Sequence, residues 1–282
     1  MNYITPYITA HTSGFLSDKN TGLGNVLFQI ASCYGIGKTH DIPVIFNNVR
    51  HYCNILYDRY QYDHKDTILR KVYDNYDSSV SFNTTIQENG VFARKYSIDL
   101  LCSIIETKDN MIVFGYLESY LYFSACANEI RALFSIDDAS FQAIMMKYET
   151  ILCSTKESTP VSIHFRGNEY FSITGKDYDY DYYNRAIDYI YAHVTNPHFL
   201  VFTDHYSSID FSKLHLLQHT HIQHDRDYLE LWTMSLCKHN IISLSTFSWW
   251  GAFLNNNADK IVLCNKDTYD TFAESHSICQ QI

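Results

Sequence analysis

The sequence predicts an α/β protein with parallel sheets, and three observations lead to that prediction. Short apolar segments alternate with segments of helical spacing through the second half of the chain, as in βαβ units. Apolar residues make up 46% of the 282 residues, enough for a substantial core. The length suits two domains of ordinary size, and we expect a boundary between domains 1–157 and 158–282.

The second half carries the clearer pattern of strands and helices. The predicted strands are PVSIHF (160–165), FLVFTD (199–204), NIISLS (240–245) and KIVLCN (260–265), with a weaker one within 213–223. The predicted helices are 182–194, 225–239 and FSWWGAFLNN (247–256). Alternation at this rhythm indicates helices on both faces of a parallel sheet.

The first half is less regular. We expect a strand near the N-terminus, then the loop SDKNTGLGN and a helix over 27–38. Strands are predicted at 42–47 and 111–116, and a helix at 122–134. The polar, tyrosine-rich stretch 48–110 yields no predicted order of elements.

Charge and composition exclude several classes of protein. A net charge of −10 argues against a nucleic-acid binder, which needs a basic face. No segment approaches twenty apolar residues, and the N-terminal residues lack the pattern of a signal peptide. The eight cysteines stand singly, as reduced thiols do. We therefore expect a cytoplasmic protein, at most peripheral to a membrane.

Polar residues follow three predicted strands of the second half. His164 and Arg166 end the first, Asp204 ends the second, and Ser245 to Ser248 follow the third. Ligands of open parallel sheets bind beyond the carboxyl ends of the strands. A helix beginning at this turn offers backbone N–H groups, and together with an arginine it makes a metal-independent site for a diphosphate. Simple N-capping by Ser245, Thr246 or Ser248 is the alternative, as is a structural ion pair between Arg166 and Glu169.

Four stretches in the same order resemble the inverting α-1,2-fucosyltransferase family. They are TGLGNVLFQIA (21–31), GYLESYLYF (115–123), VSIHFRGNEYF (161–171) and MSLCKHNIISLSTFSWWGAFLN (234–255). The resemblance implies a GT-B-like fold, in which two Rossmann-type domains with parallel sheets face a central cleft. It also implies transfer of L-fucose from GDP-β-L-fucose, with inversion, to a hydroxyl such as O2 of a β-galactoside. The acceptor would be a glycan or small saccharide, and no cofactor or metal is expected.

The resemblance also assigns roles to particular residues. Arg166 would contact the β-phosphate of the donor, with the turn Ser245, Thr246, Phe247 and Ser248 beside it, and His164 and Asp204 would hold the guanosine. Gly22, Gly24 and Asn25 would approach the diphosphate from the first domain. Tyr116 and Glu118 are candidate acceptor-side residues, and Glu118 and Glu169 are candidate bases for the acceptor hydroxyl.

Departures from the family pattern leave alternatives open. Gly167 stands where the family has a second arginine, and Glu169 stands where it has aspartate. A different nucleotide sugar is one alternative, and an inactive relative that binds glycan or nucleotide is another. A DxD spacing at Asp177, Asp179 and Asp181 is typical of metal-dependent glycosyltransferases. We interpret it as a chance occurrence in a loop, because it does not follow a strand.

Overall fold

The computed structural model describes residues 2–8, 22–61, 63–88, 95–153, 158–167, 178–271 and 279–282. Its contacts divide the chain into two compact units, Met1–Asp137 and Asp138–Ile282. Unit 2 thus begins with the helix Asp138–Leu152, which buries Ser140, Ile144, Tyr148 and Leu152 at four-residue spacing along one face. The domain boundary predicted between 157 and 158 lies after this helix.

Unit 1 contains a parallel sheet of three strands in the order β1-β3-β2. The strands are β1 (Ile4–Pro6), β2 (Thr84–Gln87) and β3 (Met111–Phe114). The helices are α1 (Leu23–Thr39), α2 (Asn47–Tyr60), α3 (Arg70–Tyr73), α4 (Ile98–Glu106) and α5 (Ala127–Leu133). The stretch 48–110, which the sequence left without an order, supplies β2 and three helices.

Two predicted elements of unit 1 differ from the structure. The strand expected over 42–47 is reduced to one bridge between Val44 and Ile4, because α2 begins at Asn47. Phe46 leaves the extended conformation and buries its ring, so the chain turns into the helix. The helix expected over 122–134 is α5 alone, preceded by two short 3-10 turns.

Unit 2 contains a parallel sheet in the order β6-β5-β4-β7-β8-β9. The strands are β4 (Thr159–His164), β5 (Pro197–Phe202), β6 (His219–His221), β7 (His239–Ile241), β8 (Val262–Cys264) and β9 (Gln280–Gln281). The helices are α6 (Asp138–Leu152), α7 (Tyr180–His193), α8 (Asp227–Leu236), α9 (Thr246–Leu254) and α10 (Lys266–Thr271). The predicted α/β class with parallel sheets is confirmed.

The strands at the centre of this sheet are apolar because both of their faces are covered. Every residue of β5 is buried, as are the last five residues of β4. On one face, Ala186, Ile187 and Ile190 of α7 pack into the cluster that contains Val161 and Ile163. Among the described residues, no helix has the length and apolar composition that crossing a bilayer requires.

A buried amide network ties α9 to the two central strands of unit 2. Asn240 of β7 donates through Nδ2 to Ser162 Oγ at 2.7 Å and to Met234 O at 3.0 Å. Its Oδ1 accepts from Asn255 Nδ2 at 2.8 Å, and Asn255, just after α9, also donates to Cys237 O. Both the Nδ2 and the Oδ1 of the Asn240 side chain thus have hydrogen-bond partners, as buried polar atoms require. The network fixes where α9 lies on the sheet.

Removing the Asn240 amide should therefore destabilise unit 2 strongly. Asn240→Ala leaves a hydroxyl, a carbonyl and an amide buried without this partner, and each such loss costs about 1–3 kcal/mol. We expect the free energy of unfolding, measured by urea denaturation, to fall by about 3 kcal/mol or more. Asn256→Ala, at an exposed position close by, is the control and should stay within about 0.5 kcal/mol of wild type. Equal effects of the two substitutions would contradict this account of the network.

Candidate functional site

His164 ends β4 at the carboxyl edge of the unit 2 sheet. Its ring is buried, and its Nδ1 lies 2.7 Å from Ser243 Oγ, just beyond β7. Tyr183 of α7 donates to the His164 carbonyl at 2.9 Å, so ring and backbone are both held. Burial lowers the pKa of His164 to about 3, and the positive charge of Arg166 adds to that effect. The imidazole is therefore neutral, and it can serve as a hydrogen-bonding group but not as a cation.

Arg166 lies just beyond the end of β4, and the preceding residue, Phe165, fixes its position. Phe165 N donates to Phe202 O at 2.9 Å, which extends the β4–β5 ladder by one residue. The Phe165 ring is buried, with its centroid 4.2 Å from that of Tyr183 and 5.7 Å from that of Tyr178. Arg166 follows as a half-buried residue, close enough for its charge to act on His164. The structure thus places the Arg166 cation just beyond the neutral His164, at the carboxyl edge of the sheet.

Gly167 lies directly against Asp204, which follows β5. A Cβ at position 167 would overlap Oδ1 of Asp204 and would come within 2.8 Å of Cδ2 of His205. The Asp204 side chain is 55% exposed, so its carboxylate faces solvent while it covers the Gly167 backbone. With glycine at 167, the Asp204 carboxylate lies against the backbone; a side chain at 167 would require this exposed carboxylate to move.

The turn from Ser243 to Ser248 uses its hydroxyls unequally. Ser248 Oγ lies 3.3 Å from Ser243 O and 3.2 Å from Ser245 O, which share its single proton, and it accepts from Ser243 N at 3.3 Å. Ser245 is the N-cap residue of α9, yet its side chain makes no capping hydrogen bond. N-capping by Ser245 or Ser248 is therefore wrong as an explanation of this turn. The side chain of the N-cap residue therefore does not bind the N–H groups in the first turn of α9.

Buried aromatic residues pack next to this turn and support it. Trp249 and Trp250 are fully buried, as predicted for core residues, and their rings meet edge to face at 5.1 Å. Tyr182 donates to Ile242 O at 2.6 Å and lies 3.1 Å from Leu263 O, which ties the end of β7 to β8. Phe247 stays half-buried, with its ring centroid 6.1 Å from that of His164. The turn therefore rests on a rigid core.

Unit 2 brings together most of the residues predicted to bind the donor. His164, Arg166, Asp204 and the turn 245–248 all lie at the carboxyl edge of one sheet. Glu169 lies outside the described residues. Sequence reasoning missed Ser243. Its place in the serine-rich segment that follows β7, five residues before Ser248, was a signal that it belongs to the site.

The remaining predicted residues belong to unit 1. Gly22 is the exposed N-cap residue of α1 and accepts from Asn25 N at 3.0 Å, while Gly24 is buried in the first turn. Tyr116 and Glu118 follow β3, the first half-buried and the second 3% exposed. The roles predicted for these residues stay predictions.

The DxD stretch has a local structural use in the part of the chain that the structure describes. Asp179 is the N-cap residue of α7, and its Oδ1 accepts from Tyr182 N at 3.0 Å. Asp181 lies in the first turn of the same helix, where a negative charge favours the helix dipole. Asp177 lies outside the described residues.

The lowered pKa of His164 predicts a dependence of stability on pH. The folded protein binds this proton less well than the unfolded chain, whose histidine titrates near 6.5. The resulting loss of stability is negligible above pH 6.5 and grows as the pH falls from there towards 3. In denaturant titrations, the free energy of unfolding of wild type should fall between pH 7 and pH 5 by about 2 kcal/mol more than that of His164→Asn.

The control for this prediction is His51→Asn, which changes an exposed histidine. His224 and His239, whose pKa values burial lowers to about 4, are present in all three proteins and cancel from the comparison. Parallel curves for wild type and His164→Asn would rule out a neutral, buried His164.

Comparisons with known proteins agree with the predicted family. The profile of the family described as Glycosyl transferase family 11 matches residues 103–281. The O-antigen biosynthesis glycosyltransferase WbnK of Escherichia coli is 25% identical over 194 residues, which are 64% of this chain and 63% of that protein. An alpha-1,2-colitosyltransferase of Escherichia coli is 28% identical over 161 residues, 53% of each chain. The chain thus spans less than two thirds of the length of these relatives.

Solved structures share the fold at low sequence identity. NodZ, a fucosyltransferase from Bradyrhizobium, superposes with a TM-score of 0.53 at 13% identity, over 90% of this chain and 92% of NodZ. A variant of Arabidopsis thaliana FUT1 in complex with GDP gives 0.51 at 11% identity, over 93% and 70%. These likenesses confirm the predicted GT-B-like α/β fold. Since the family profile covers more than half of its residues, this chain belongs to glycosyl transferase family 11.

Proposed function

We propose that the protein is a metal-independent glycosyltransferase that moves L-fucose from GDP-β-L-fucose to a hydroxyl of a saccharide, O2 of a β-galactoside, with inversion at C1. One observation carries this proposal. The start of α9, where the N-cap residue Ser245 makes no side-chain capping hydrogen bond, lies at the same sheet edge as Arg166. Backbone N–H groups at a helix start and a guanidinium are the two kinds of donor that bind a diphosphate without a metal.

The residues around this edge support a division of roles toward the donor. Arg166 and the turn Thr246–Ser248 stabilise the charge that develops on the β-phosphate as GDP leaves. Asp204 has an exposed carboxylate that can accept from N1–H and N2–H of guanine, an edge that other common bases lack. His164 is neutral and offers a hydrogen bond to the nucleoside without adding charge.

The proposed reaction is a single displacement. The acceptor oxygen attacks C1 of the donor sugar as the bond from C1 to the phosphate oxygen breaks, and GDP departs with the electron pair. The hydroxyl proton passes to a base, for which Glu118 and Glu169 are the candidates. Catalysis then depends on groups that hold the pyrophosphate more tightly as it gains charge.

The identity of the transferred sugar has a specific rival. One relative is named an alpha-1,2-colitosyltransferase, so a different deoxy sugar on the same nucleotide fits the same diphosphate contacts. The glycine at 167 makes this rival concrete, because the site has one arginine fewer than the family pattern. The same departure supports a second rival, a relative that binds nucleotide without transfer.

A nucleotide panel tests the donor assignment directly. GDP should raise the melting temperature, while UDP, ADP and CDP at equal concentration should leave it nearly unchanged. A ligand at about 100 times its Kd adds roughly 2.7 kcal/mol to the stability of the form that binds it. A response to UDP in place of GDP would reject guanosine recognition by Asp204. GDP binding without transfer to any saccharide would favour the inactive relative.

Arg166→Ala tests the role of the guanidinium. The rate of transfer from GDP-fucose should fall on the order of 10²–10³-fold, as when one preorganised donor to a developing anion is removed. Arg185→Ala, which changes an exposed arginine on α7, is the matched control and should keep the wild-type rate. An unchanged rate in Arg166→Ala would remove Arg166 from the mechanism.

A further inference from the structure

The carboxyl edge of the unit 1 sheet carries a buried glutamate that sequence reasoning did not single out. Glu88 directly follows β2, and its backbone N donates to Phe114 O at 2.8 Å, beside the end of β3. The side chain is 1% exposed. Ligands bind at this edge of an open parallel sheet, so a carboxylate buried there suggests a functional site.

The turn after β3 is wrapped around this carboxylate. Glu88 Oε2 accepts from Leu117 N at 3.2 Å, and the Tyr116 backbone also donates to the Glu88 carboxylate. A Cβ on Gly115 would lie 2.5 Å from Oε2, so only glycine allows this contact. Leu117 is buried with a φ of +52°, a left-handed conformation that is costly for leucine. Backbone held in such a conformation is a feature of binding and catalytic sites.

Two buried acceptor oxygens flank Gly115 with no hydrogen-bond partner among the described residues. They are Oε1 of Glu88 and Oε1 of Gln29, a residue of α1 that is 5% exposed. The Nε2 atom of Gln29 fixes the orientation of the side-chain amide, because it donates to Tyr7 O at 3.0 Å and to Gly115 O at 2.8 Å. A buried acceptor left unpaired costs about 1–3 kcal/mol, so each of these oxygens is a candidate acceptor for a hydrogen bond from a ligand hydroxyl or a water molecule.

We propose that Glu88 and Gln29 bind two neighbouring hydroxyl groups of the acceptor saccharide. The two hydroxyls of a vicinal diol supply one donor for each unpaired oxygen. Gly115 and Tyr116 are half-buried, so the oxygens lie beneath the surface of the turn and not in the centre of the core. This inference rests on the proposed function, because it names a contact for the acceptor of the proposed transfer.

The electrostatics of Glu88 fit a hydroxyl ligand. Burial raises the pKa of Glu88 to about 7, and the charge of Glu118 on the same turn raises it further against the two backbone N–H bonds that lower it. Leu117, which donates its N–H to the carboxylate, and Gln29, which donates to Gly115 O, are uncharged. A hydroxyl donor to Oε1 stabilises the ionised form, whereas a second anion would not.

The test is a titration of methyl β-D-galactopyranoside into the full chain, followed by saturation-transfer NMR with no nucleotide present. In Glu88→Gln the amide oxygen is needed by the backbone N–H groups of the turn, so the NH₂ group faces the sugar and meets another donor. We expect galactoside affinity to fall at least tenfold, with melting temperature unchanged within a few degrees. Glu106→Gln, an exposed carboxylate at the end of α4, should bind as wild type does.

Monodeoxy galactosides identify the hydroxyls concerned. An analogue that lacks a bound hydroxyl should bind wild type as weakly as it binds Glu88→Gln, while the other analogues should keep the difference. Equal galactoside affinity of wild type and Glu88→Gln, or no galactoside binding by wild type, would overturn the proposal. Because the titration contains no nucleotide, it can fail while GDP binding succeeds, and the reverse also holds.

Discussion

The parallel pairing of β4 with both of its neighbours is the constraint on which the site of unit 2 depends. β4 pairs with β5 through six residues and with β7 through three, all in the same direction. The residues that follow these strands therefore reach one edge of the sheet, which is how His164 meets Ser243 and Gly167 meets Asp204. If β7 ran antiparallel, Ser243 and the start of α9 would lie at the opposite edge.

The two basic residues at this edge, His164 and Arg166, differ in burial and therefore in charge. His164 is deeply buried and neutral, whereas Arg166 is half-buried and cationic, so the positive charge lies nearer the solvent from which an anionic ligand arrives. The chain as a whole has a net charge of −10, which repels anions at long range. Binding of the proposed diphosphate would therefore rely on short, directed hydrogen bonds, and a turn supported by the buried rings of Trp249 and Trp250 is suited to position such donors.

The sequence predicted those parts of the fold whose signal is local. Alternating apolar segments identified β4, β5, β8 and α9, and polar strand ends identified most of the unit 2 site. The close approach of Gly167 to Asp204 could not be predicted, because it depends on the register of β4 and β5. Glu88 was missed for a similar reason: β2 is short and half-exposed, so nothing in 48–110 marked its end as a sheet edge. The strand predicted at 42–47 failed because Phe46 is buried through a turn, and periodicity cannot distinguish that from burial in a strand.

His164 and Glu88 show the same physical rule in the two units. Each ends or follows a strand at the carboxyl edge of its own parallel sheet, and burial shifts each pKa toward the neutral form, downward for the imidazole and upward for the carboxyl group. The neutral imidazole of His164 hydrogen-bonds without the full cost of desolvating a charge, whereas the Glu88 carboxyl group, with a pKa of about 7, is partly ionised at neutral pH. Each group also responds strongly to the ligand that arrives, because an anion beside His164 or a hydroxyl donor beside Glu88 favours its charged form. The proposed hydroxyl contact at Glu88 would therefore favour the ionised carboxylate and lower the pKa of this group when the saccharide binds.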